Sequence, residues 1–244
     1  MASARVGGSS LDRVRVRETQ VLSDNWGILT KYRFDYTRAD GTVQTLTRET
    51  YDRGHGAVIL LYNAEKGTVV LTRQFRLVAH VNGHHEDLIE ACAGLLDERD
   101  PETAIRHEAE EETGIRVGDV TKIWVVFMSP GSVTEKLHFF VAPYTMEMQA
   151  GVGGGVAAEG EDIGVMEVAL SDALTMIDKG KIVDAKTIML IQYAALKGPM
   201  RQAPMSCALR KPRRKITQVP PTTLLREAFH GSAEVASPML TSPQ

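Results

Sequence analysis

The chain has 244 residues, a mass of 26.8 kDa and a formal net charge of −3 at pH 7, with 43% hydrophobic and 24% charged residues. This composition excludes a wholly disordered chain, and no apolar run reaches the roughly 18 residues that a membrane-spanning helix needs. The two cysteines, Cys92 and Cys207, are too few for a disulfide scaffold or a cysteine-rich zinc site. The first residues lack the apolar core of a secretory signal, so we expect a soluble cytoplasmic protein.

Charge divides the chain into two parts. Residues 198–244 hold seven of the ten prolines, seven Lys or Arg residues and two Glu residues, which gives this tail a net charge of +5. The preceding 197 residues carry 21 basic and 29 acidic residues, a net charge of −8. We expect an acidic globular body followed by a disordered tail that can be removed without loss of turnover. Nucleic-acid binding by the basic run 210–215 is the alternative, but the acidic body and the lack of interleaved aromatic residues disfavour it.

Apolar residues predict β-strands in the first hundred residues. Residues 11–50 are expected to form antiparallel strands, with the Asp-Gly pair at 40–41 as a hairpin turn. The apolar runs at 57–62, 68–72 and 88–93 predict three further strands.

The clearest predicted helix spans residues 101–113. Asp100 is its expected N-cap, Pro101 suits its first position and Gly114 suits its end. The later predicted elements are strands at 122–128, 137–144 and 165–170, a glycine-rich loop at 145–162, and helices at 171–179 and 185–196. This mixture predicts an α+β fold, built as an α/β/α sandwich after an N-terminal antiparallel β element.

Three glutamates, Glu108, Glu111 and Glu112, lie one turn apart on one face of the predicted helix. Like charges at this spacing destabilise an exposed helix by roughly 0.2–0.5 kcal/mol per pair, a cost that a bound cation would relieve. Clustered carboxylate oxygens are the ligands that Mg²⁺ and Mn²⁺ prefer, and a backbone carbonyl such as that of Ala93 can complete a site. A solvated acidic helix face is the alternative interpretation.

Residues 94–115 resemble the signature of the Nudix hydrolases, G-x5-E-x7-R-E-U-x-E-E-x-G-U, in which U is apolar. Gly94 corresponds to the first glycine, and the sequence HEAEEETGI at 107–115 corresponds to the second half. His107 replaces the arginine of the pattern, Asp100 stands in place of the first glutamate, and the spacer between them is one residue short.

The resemblance covers roughly residues 15–196 and is closest to the GDP-mannose pyrophosphatase branch, a relative of the ADP-ribose pyrophosphatases. It implies a Nudix α/β/α sandwich over residues 56–197, preceded by a β element at 11–55 that serves dimerisation and substrate binding. It therefore implies a homodimer, and it does not extend to the tail.

The resemblance also implies a metal site and a catalytic set. The implied ligands of Mg²⁺, with Mn²⁺ as a possible substitute, are the Ala93 carbonyl and the carboxylates of Glu108, Glu112 and Glu161. Glu159, in the same glycine-rich loop, is the alternative to Glu161. Glu111 and Glu135 are expected to join Glu108 and Glu112 in catalysis.

The substrate implied by the resemblance is a nucleoside diphosphate sugar. Its expected binding residues are Trp26, Thr47, Arg48, Glu49, Arg76, Gly94, Leu95, Glu135 and Lys186. An arginine such as Arg48 or Arg76 can hold a phosphate oxygen, and Trp26 can stack on a base.

The expected reaction is magnesium-dependent hydrolysis of the pyrophosphate bond, most simply of GDP-mannose to GMP and mannose 1-phosphate. An ADP-ribose pyrophosphatase is the close alternative. A non-catalytic nucleotide-sugar sensor is the alternative from another class, which the altered loop and Asp100 favour and the retained helix glutamates disfavour.

Overall fold

Residues 13–200 of the computed structural model are described, and they form two β-sheets flanked by helices. From residue 201 onward the predicted tail lies outside the described residues. No helix between residues 13 and 200 is both long and apolar enough to cross a membrane.

The N-terminal sheet is an antiparallel meander of three strands, β1 (Val14–Asp24), β2 (Ile28–Thr37) and β3 (Val43–Asp52). The predicted hairpin turn joins β2 to β3. Gly41 adopts a φ of 86°, which a residue with a Cβ rarely adopts, and Asp40 Oδ1 accepts a hydrogen bond from the Thr42 amide at 2.9 Å. The turn therefore fixes the register in which the two strands pair.

The second sheet is mixed. Its strands are β4 (Gly56–Asn63), β5 (Thr68–Gln74), β6 (Leu88–Glu90), β7 (Ala93–Leu95), β8 (Thr121–Phe127), β9 (Lys136–Pro143) and β10 (Gly164–Ala169). They follow the order β10-β5-β4-β9-β8, with β6 paired to β5 and β7 paired to β4. The central β4–β9 pair is parallel and the others are antiparallel.

The helices cover both faces of the mixed sheet. They are α1 (Leu77–Val81), α2 (Pro101–Thr113), α3 (Leu170–Asp178) and α4 (Ala185–Leu196). On one face, Val58 and Leu60 of β4 belong to the same buried cluster as Leu190 of α4, and on the other Ile59 shares a cluster with Ile105 of α2. Because both faces of β4 are buried, its sequence is a continuous apolar run rather than an alternation of apolar and polar residues. The predicted α/β/α sandwich is confirmed.

The single strand predicted over 88–93 is wrong, because the chain changes partner within it. Glu90 pairs with Thr72 of β5, whereas Ala93 pairs with Val58 of β4. Between them, the Cys92 carbonyl accepts a hydrogen bond from the Ile59 amide at 2.9 Å. This change of partner places β7 against α2, where Gly94 meets Glu108.

Helix α1 was not predicted. It has five residues, none of them buried, so it offers no apolar periodicity over more than one turn.

Candidate active site

Helix α2 begins and ends as its sequence predicts. Asp100 caps it by accepting hydrogen bonds from the Glu102 and Thr103 amides at 3.0 and 3.4 Å, and Pro101 occupies its first turn. Gly114 ends it in the left-handed conformation, with a φ of 73°. Asp100 is thus engaged as a cap.

The three helix glutamates differ in their surroundings. Glu112 is 2% exposed, and its Oε2 is buried without a hydrogen-bond partner among residues 13–200. Burial, opposed by a hydrogen bond from Cys92 and reinforced by the charge of Glu108, raises the pKa of Glu112 to about 8. Burial and the charge of Glu111 raise the pKa of half-buried Glu108 to about 7. Burial therefore disfavours the charged form of both carboxyl groups, and the favourable contacts within residues 13–200 do not offset it.

Glu111 faces away from this pair. Its Oε2 lies 3.0 Å from Nδ1 of His107, one turn earlier and at the position where the Nudix pattern has arginine. The side chain of Glu111 is 37% exposed. His107 thus offers Glu111 a partner on the outer side of the helix.

Strand β7 fits closely against Glu108. A Cβ built on Gly94 would lie within 2.6 Å of the carboxylate carbon and both carboxylate oxygens of Glu108, so any larger residue here would displace this carboxylate. Ala93 and Leu95 flank Gly94 in the same strand, which places the predicted Ala93 ligand next to the carboxylates.

The loop between β7 and α2 contains two residues with positive φ. Asp97 and Glu98 close it in the left-handed conformation, with φ of 45° and 67°. Neither is a glycine, so each costs about 1–2 kcal/mol.

Glu161 approaches the same carboxylates from the glycine-rich loop. That loop is held to the end of α2, where the Glu112 carbonyl accepts a hydrogen bond from the Gly154 amide at 2.9 Å. Glu161 Oε2 accepts from the Val156 amide at 2.8 Å, and its charge raises the pKa of both Glu108 and Glu112. The side chain of Glu159, the alternative ligand, lies outside the described residues.

These residues fit a hard divalent cation. Their donors are oxygens, one buried oxygen has no partner in the described chain, and β7 leaves room for the Glu108 carboxylate. Between residues 13 and 200, no three His, Cys, Asp or Glu side chains are already gathered into a metal-binding group. The assignment of ligands to Glu108, Glu112 and Glu161 therefore stays a prediction.

A further buried carboxylate, Glu135, lies just before β9. It is 8% exposed, and its Oε1 lies 2.7 Å from Nη2 of Arg53, which follows β3. The loop before Glu135 is also hydrogen-bonded to the N-terminal sheet, because Tyr51 donates to the Ser132 carbonyl at 2.7 Å and accepts from the Thr134 amide at 3.1 Å. The N-terminal sheet thus fixes the position of this carboxylate.

Trp26 lies in the turn between β1 and β2 and is 71% exposed. The Arg53 guanidinium lies 5.7 Å from its ring centroid. Trp26 is therefore free to stack on a planar ligand. The arginine beside its ring is the same one that pairs with Glu135.

Thr47, Arg48 and Glu49 are consecutive residues of β3, so they alternate between the two faces of the N-terminal sheet. Arg48 lies on the wall of an open hollow of about 580 Å³, whereas Thr47 lines a smaller one of about 160 Å³. Neither hollow includes the helix carboxylates. The structure does not bring these three predicted residues together on one face of the chain.

Arg76 and Lys186 meet at a residue that the sequence did not single out. Glu90, 3% exposed at the end of β6, lies 2.7 Å from Arg76 Nε and 2.5 Å from Lys186 Nζ. Lys186 is thus mostly buried rather than a solvated charge at a helix start. One signal in the sequence is that Glu90 is the single acid in the apolar segment 88–93, since a charged residue is rarely buried unless it is paired.

Comparison with known proteins decides the family. A model of the NUDIX domain matches residues 52–190, and a model described as the GDP-mannose pyrophosphatase NudK N-terminal domain matches residues 13–51. The chain belongs to the Nudix family. Its predicted assignment to the Nudix hydrolases is confirmed.

Curated Nudix relatives resemble this chain over most of their length. A GDP-mannose pyrophosphatase of Pectobacterium atrosepticum is 54% identical over 186 residues, which cover 76% of this chain and 95% of that protein. Proteins of the same name from Citrobacter koseri and Escherichia coli are 53% and 52% identical over 182 residues, covering 74% of this chain and 94% of each protein.

The raised pKa of Glu112 predicts how the metal-free protein responds to pH. With a pKa of about 8 when folded and an ordinary value of 4.5, Glu112 binds more protons in the folded than in the unfolded state between these values. The stability of the metal-free protein should therefore fall as pH rises from about 4.5 to 8, because folding then buries a charge.

Glu112→Gln removes this titration with little change of shape. In EDTA, thermal melting at pH 5 and pH 8.5 should show the wild type losing stability relative to the variant by roughly 3 °C or more as pH rises. Equal pH dependence of the two melting temperatures would show that the Glu112 carboxyl is not held protonated by burial.

Proposed function

We propose that this Nudix hydrolase cleaves the pyrophosphate bond of GDP-mannose, giving GMP and mannose 1-phosphate, with Mg²⁺ as its cation. The observation that carries the proposal is the buried Glu112 oxygen that has no hydrogen-bond partner within residues 13–200, one helical turn from Glu108, whose carboxylate lies against Gly94 of β7. The substrate is supported by relatives named GDP-mannose pyrophosphatase, which this chain matches over 94–95% of their length.

The proposed ligands of the cation are the Ala93 carbonyl, Glu108, Glu112 and Glu161. When bound, Mg²⁺ or Mn²⁺ offsets phosphate charge and favours ionisation of an attacking water. Buried Glu112 and half-buried Glu108 would supply carboxylate oxygens to the cation, among them Glu112 Oε2, which has no hydrogen-bond partner within residues 13–200. Glu111 is proposed to join them as the third catalytic carboxylate of α2, and its side chain is accessible to solvent.

The chain's own residues then bind the substrate and move a proton. Glu135 is proposed to accept a proton from the attacking water, with Arg53 fixing its orientation through one oxygen. Arg76 is proposed to hold a phosphate oxygen, and Trp26 to stack on the base. Gly94 and Leu95 form the strand against which the diphosphate lies. Lys186 supports the substrate from the start of α4.

We propose a division of labour along the chain. Residues 56–197 carry the catalytic carboxylates, residues 11–55 serve dimerisation and substrate binding, and residues 198–244 are dispensable for catalysis. We also propose that the protein works in the cytoplasm.

The proposed homodimer would form through the N-terminal sheet. Val14 and Val16 of β1 are 47% and 54% exposed, and β1 is an edge strand of this sheet. A dimer would also place the two faces of β3, with Arg48 on one and Thr47 and Glu49 on the other, near different sites. Sedimentation velocity should show a dimer at micromolar concentration. A species of 26.8 kDa at all concentrations would contradict the proposal.

Substrate choice is tested by competition. Equal concentrations of GDP-mannose and ADP-ribose are mixed with the enzyme and Mg²⁺, and the loss of each is followed. Guanine offers O6 and N7 acceptors and an N2 donor, and a site built for them leaves polar atoms unpaired when adenine binds, at about 1–3 kcal/mol each. We therefore expect a preference of roughly 5- to 150-fold for GDP-mannose in kcat/KM.

Faster loss of ADP-ribose would assign the enzyme to the neighbouring substrate class. The same assay in EDTA is the control for the metal, and turnover of either compound there at the magnesium-supported rate would contradict the proposed cofactor.

A further inference from the structure

Glu90 is a buried carboxylate with a cation on each oxygen. It is 3% exposed, at the end of β6. Its Oε1 accepts a hydrogen bond from Lys186 Nζ at 2.5 Å, and its Oε2 accepts one from Arg76 Nε at 2.7 Å. Both oxygens are thus occupied, and two pairs of this kind fix the plane of the carboxylate.

The Lys186 side of this arrangement is anchored to helix α4. Lys186 Nζ also donates to Asp184 Oδ1 at 2.9 Å, and Asp184 caps the helix by accepting from the Thr187 amide at 2.9 Å. The Thr187 hydroxyl in turn accepts from the amide of Ala91, the residue after Glu90, at 2.7 Å. Glu90 is therefore held through both its side chain and its adjoining backbone, and it has little freedom to move.

The Arg76 side is different. Its side chain is 40% exposed, and in the described part of the chain only its Nε donates a hydrogen bond, which leaves both Nη groups without a protein partner. Glu90, which Arg76 contacts, ends β6 only three residues before Ala93, the proposed carbonyl ligand at the start of β7, so Arg76 is tied to the segment that leads into the proposed metal site. The forked end of the guanidinium is thus the part of this network that is available to a ligand beside the proposed metal site.

We propose that Glu90 is a positioning residue: by holding Arg76 through Nε, it presents the two Nη groups to the diphosphate of the substrate. Lys186 acts as the fixed counter-ion that keeps Glu90 in place. The inference rests on the proposed function, and it extends that function to a residue that does not touch the substrate.

Arginine is suited to this task because its donors are separated along a rigid plane. One nitrogen can be held by the protein while two others bind a phosphate oxygen, and less side-chain entropy is lost on binding when the plane is already fixed. Lysine has one nitrogen and cannot divide its donors in this way.

The test measures kcat and KM of the full chain with Mg²⁺ and GDP-mannose. Glu90→Gln keeps the shape of the side chain and removes its charge, so Arg76 loses its fixed direction. We expect KM to rise about tenfold while kcat changes less than threefold, since phosphate binding is common to the ground and transition states. The matched control is Glu110→Gln, which breaks the exposed Glu110–Arg116 pair and should leave both constants within twofold of the wild type.

Coupling to Arg76 separates positioning from a general loss of structure. If Glu90 acts through Arg76, Glu90→Gln should raise KM less than threefold in an Arg76→Ala background. A full tenfold rise in that background, an unchanged KM, or a loss confined to kcat would each overturn the proposal. Melting temperatures are recorded for every variant.

Arg76→Lys tests the same idea without disturbing Glu90, should Glu90→Gln fail to fold. It keeps the charge but not the divided donors, so its KM should match that of Arg76→Ala within threefold. A wild-type KM for Arg76→Lys would overturn the proposal.

The wild type distinguishes failure of this inference from failure of the proposed function. If it cleaves another nucleoside diphosphate instead of GDP-mannose, the same variants are compared on that substrate, because the diphosphate is common to both. A wild type that cleaves neither GDP-mannose, ADP-ribose nor any other such compound would overturn both proposals.

Discussion

The structure depends on one unfavourable arrangement, the burial of a carboxylate oxygen of Glu112 that no described residue satisfies. An isolated ionised carboxylate in a protein interior costs several kcal/mol, and its usual response is to stay protonated. The raised pKa of Glu112 reflects that response. A divalent cation, as we propose for this site, would offset the same cost while leaving the carboxyl ionised.

The sheet explains how this arrangement arises. Helix α2 packs on β4 through apolar residues such as Ile105, which fixes the position of the helix on the sheet. The crossing from β6 to β7 then brings Gly94 against Glu108. The same short crossing carries Glu90, whose cations lie on the side of α4. One segment of chain, residues 88–95, therefore contacts both a proposed metal ligand, Glu108, and the proposed phosphate-binding residue, Arg76, and a shift of this segment would move both.

The N-terminal sheet contributes to the site as well as to any interface. Arg53 joins Glu135 to the ring of Trp26, and Tyr51 holds the loop before Glu135 by two backbone hydrogen bonds. Without the N-terminal sheet, Glu135 would lie on a loop that β3 does not hold. Because this loop is hydrogen-bonded to β3, the position of the proposed proton acceptor depends on the sheet that is proposed to bind the base.

Local signals in the sequence predicted the ends of α2 and the spacing of its glutamates, whereas the pairing of residues far apart in sequence was not predicted. Asp100, Pro101 and Gly114 mark the ends of α2 because capping depends on neighbouring residues, and the spacing of Glu108 and Glu112 follows from the helical repeat. The break at Ala91–Cys92 was missed because both halves are apolar and only their partners, β5 and β4, distinguish them. Glu90 and Arg53 were missed because their ion pairs join residues far apart in sequence, and the opposed faces of Thr47 and Arg48 emerge only once β3 is known to be a regular strand.

The central claim is that Glu112 gives up a proton when the metal binds, and calorimetry tests it most directly. Metal-free wild type and Glu112→Gln are titrated with Mn²⁺ at pH 7 in buffers of different ionisation enthalpy, so that the released protons are counted. Because the pKa of Glu112 is about 8 and that of Glu108 about 7, the wild type should release between one and two protons per ion, and the variant should release about one fewer and bind more weakly. Binding by the wild type without proton release, or equal release and affinity in the variant, would contradict the account.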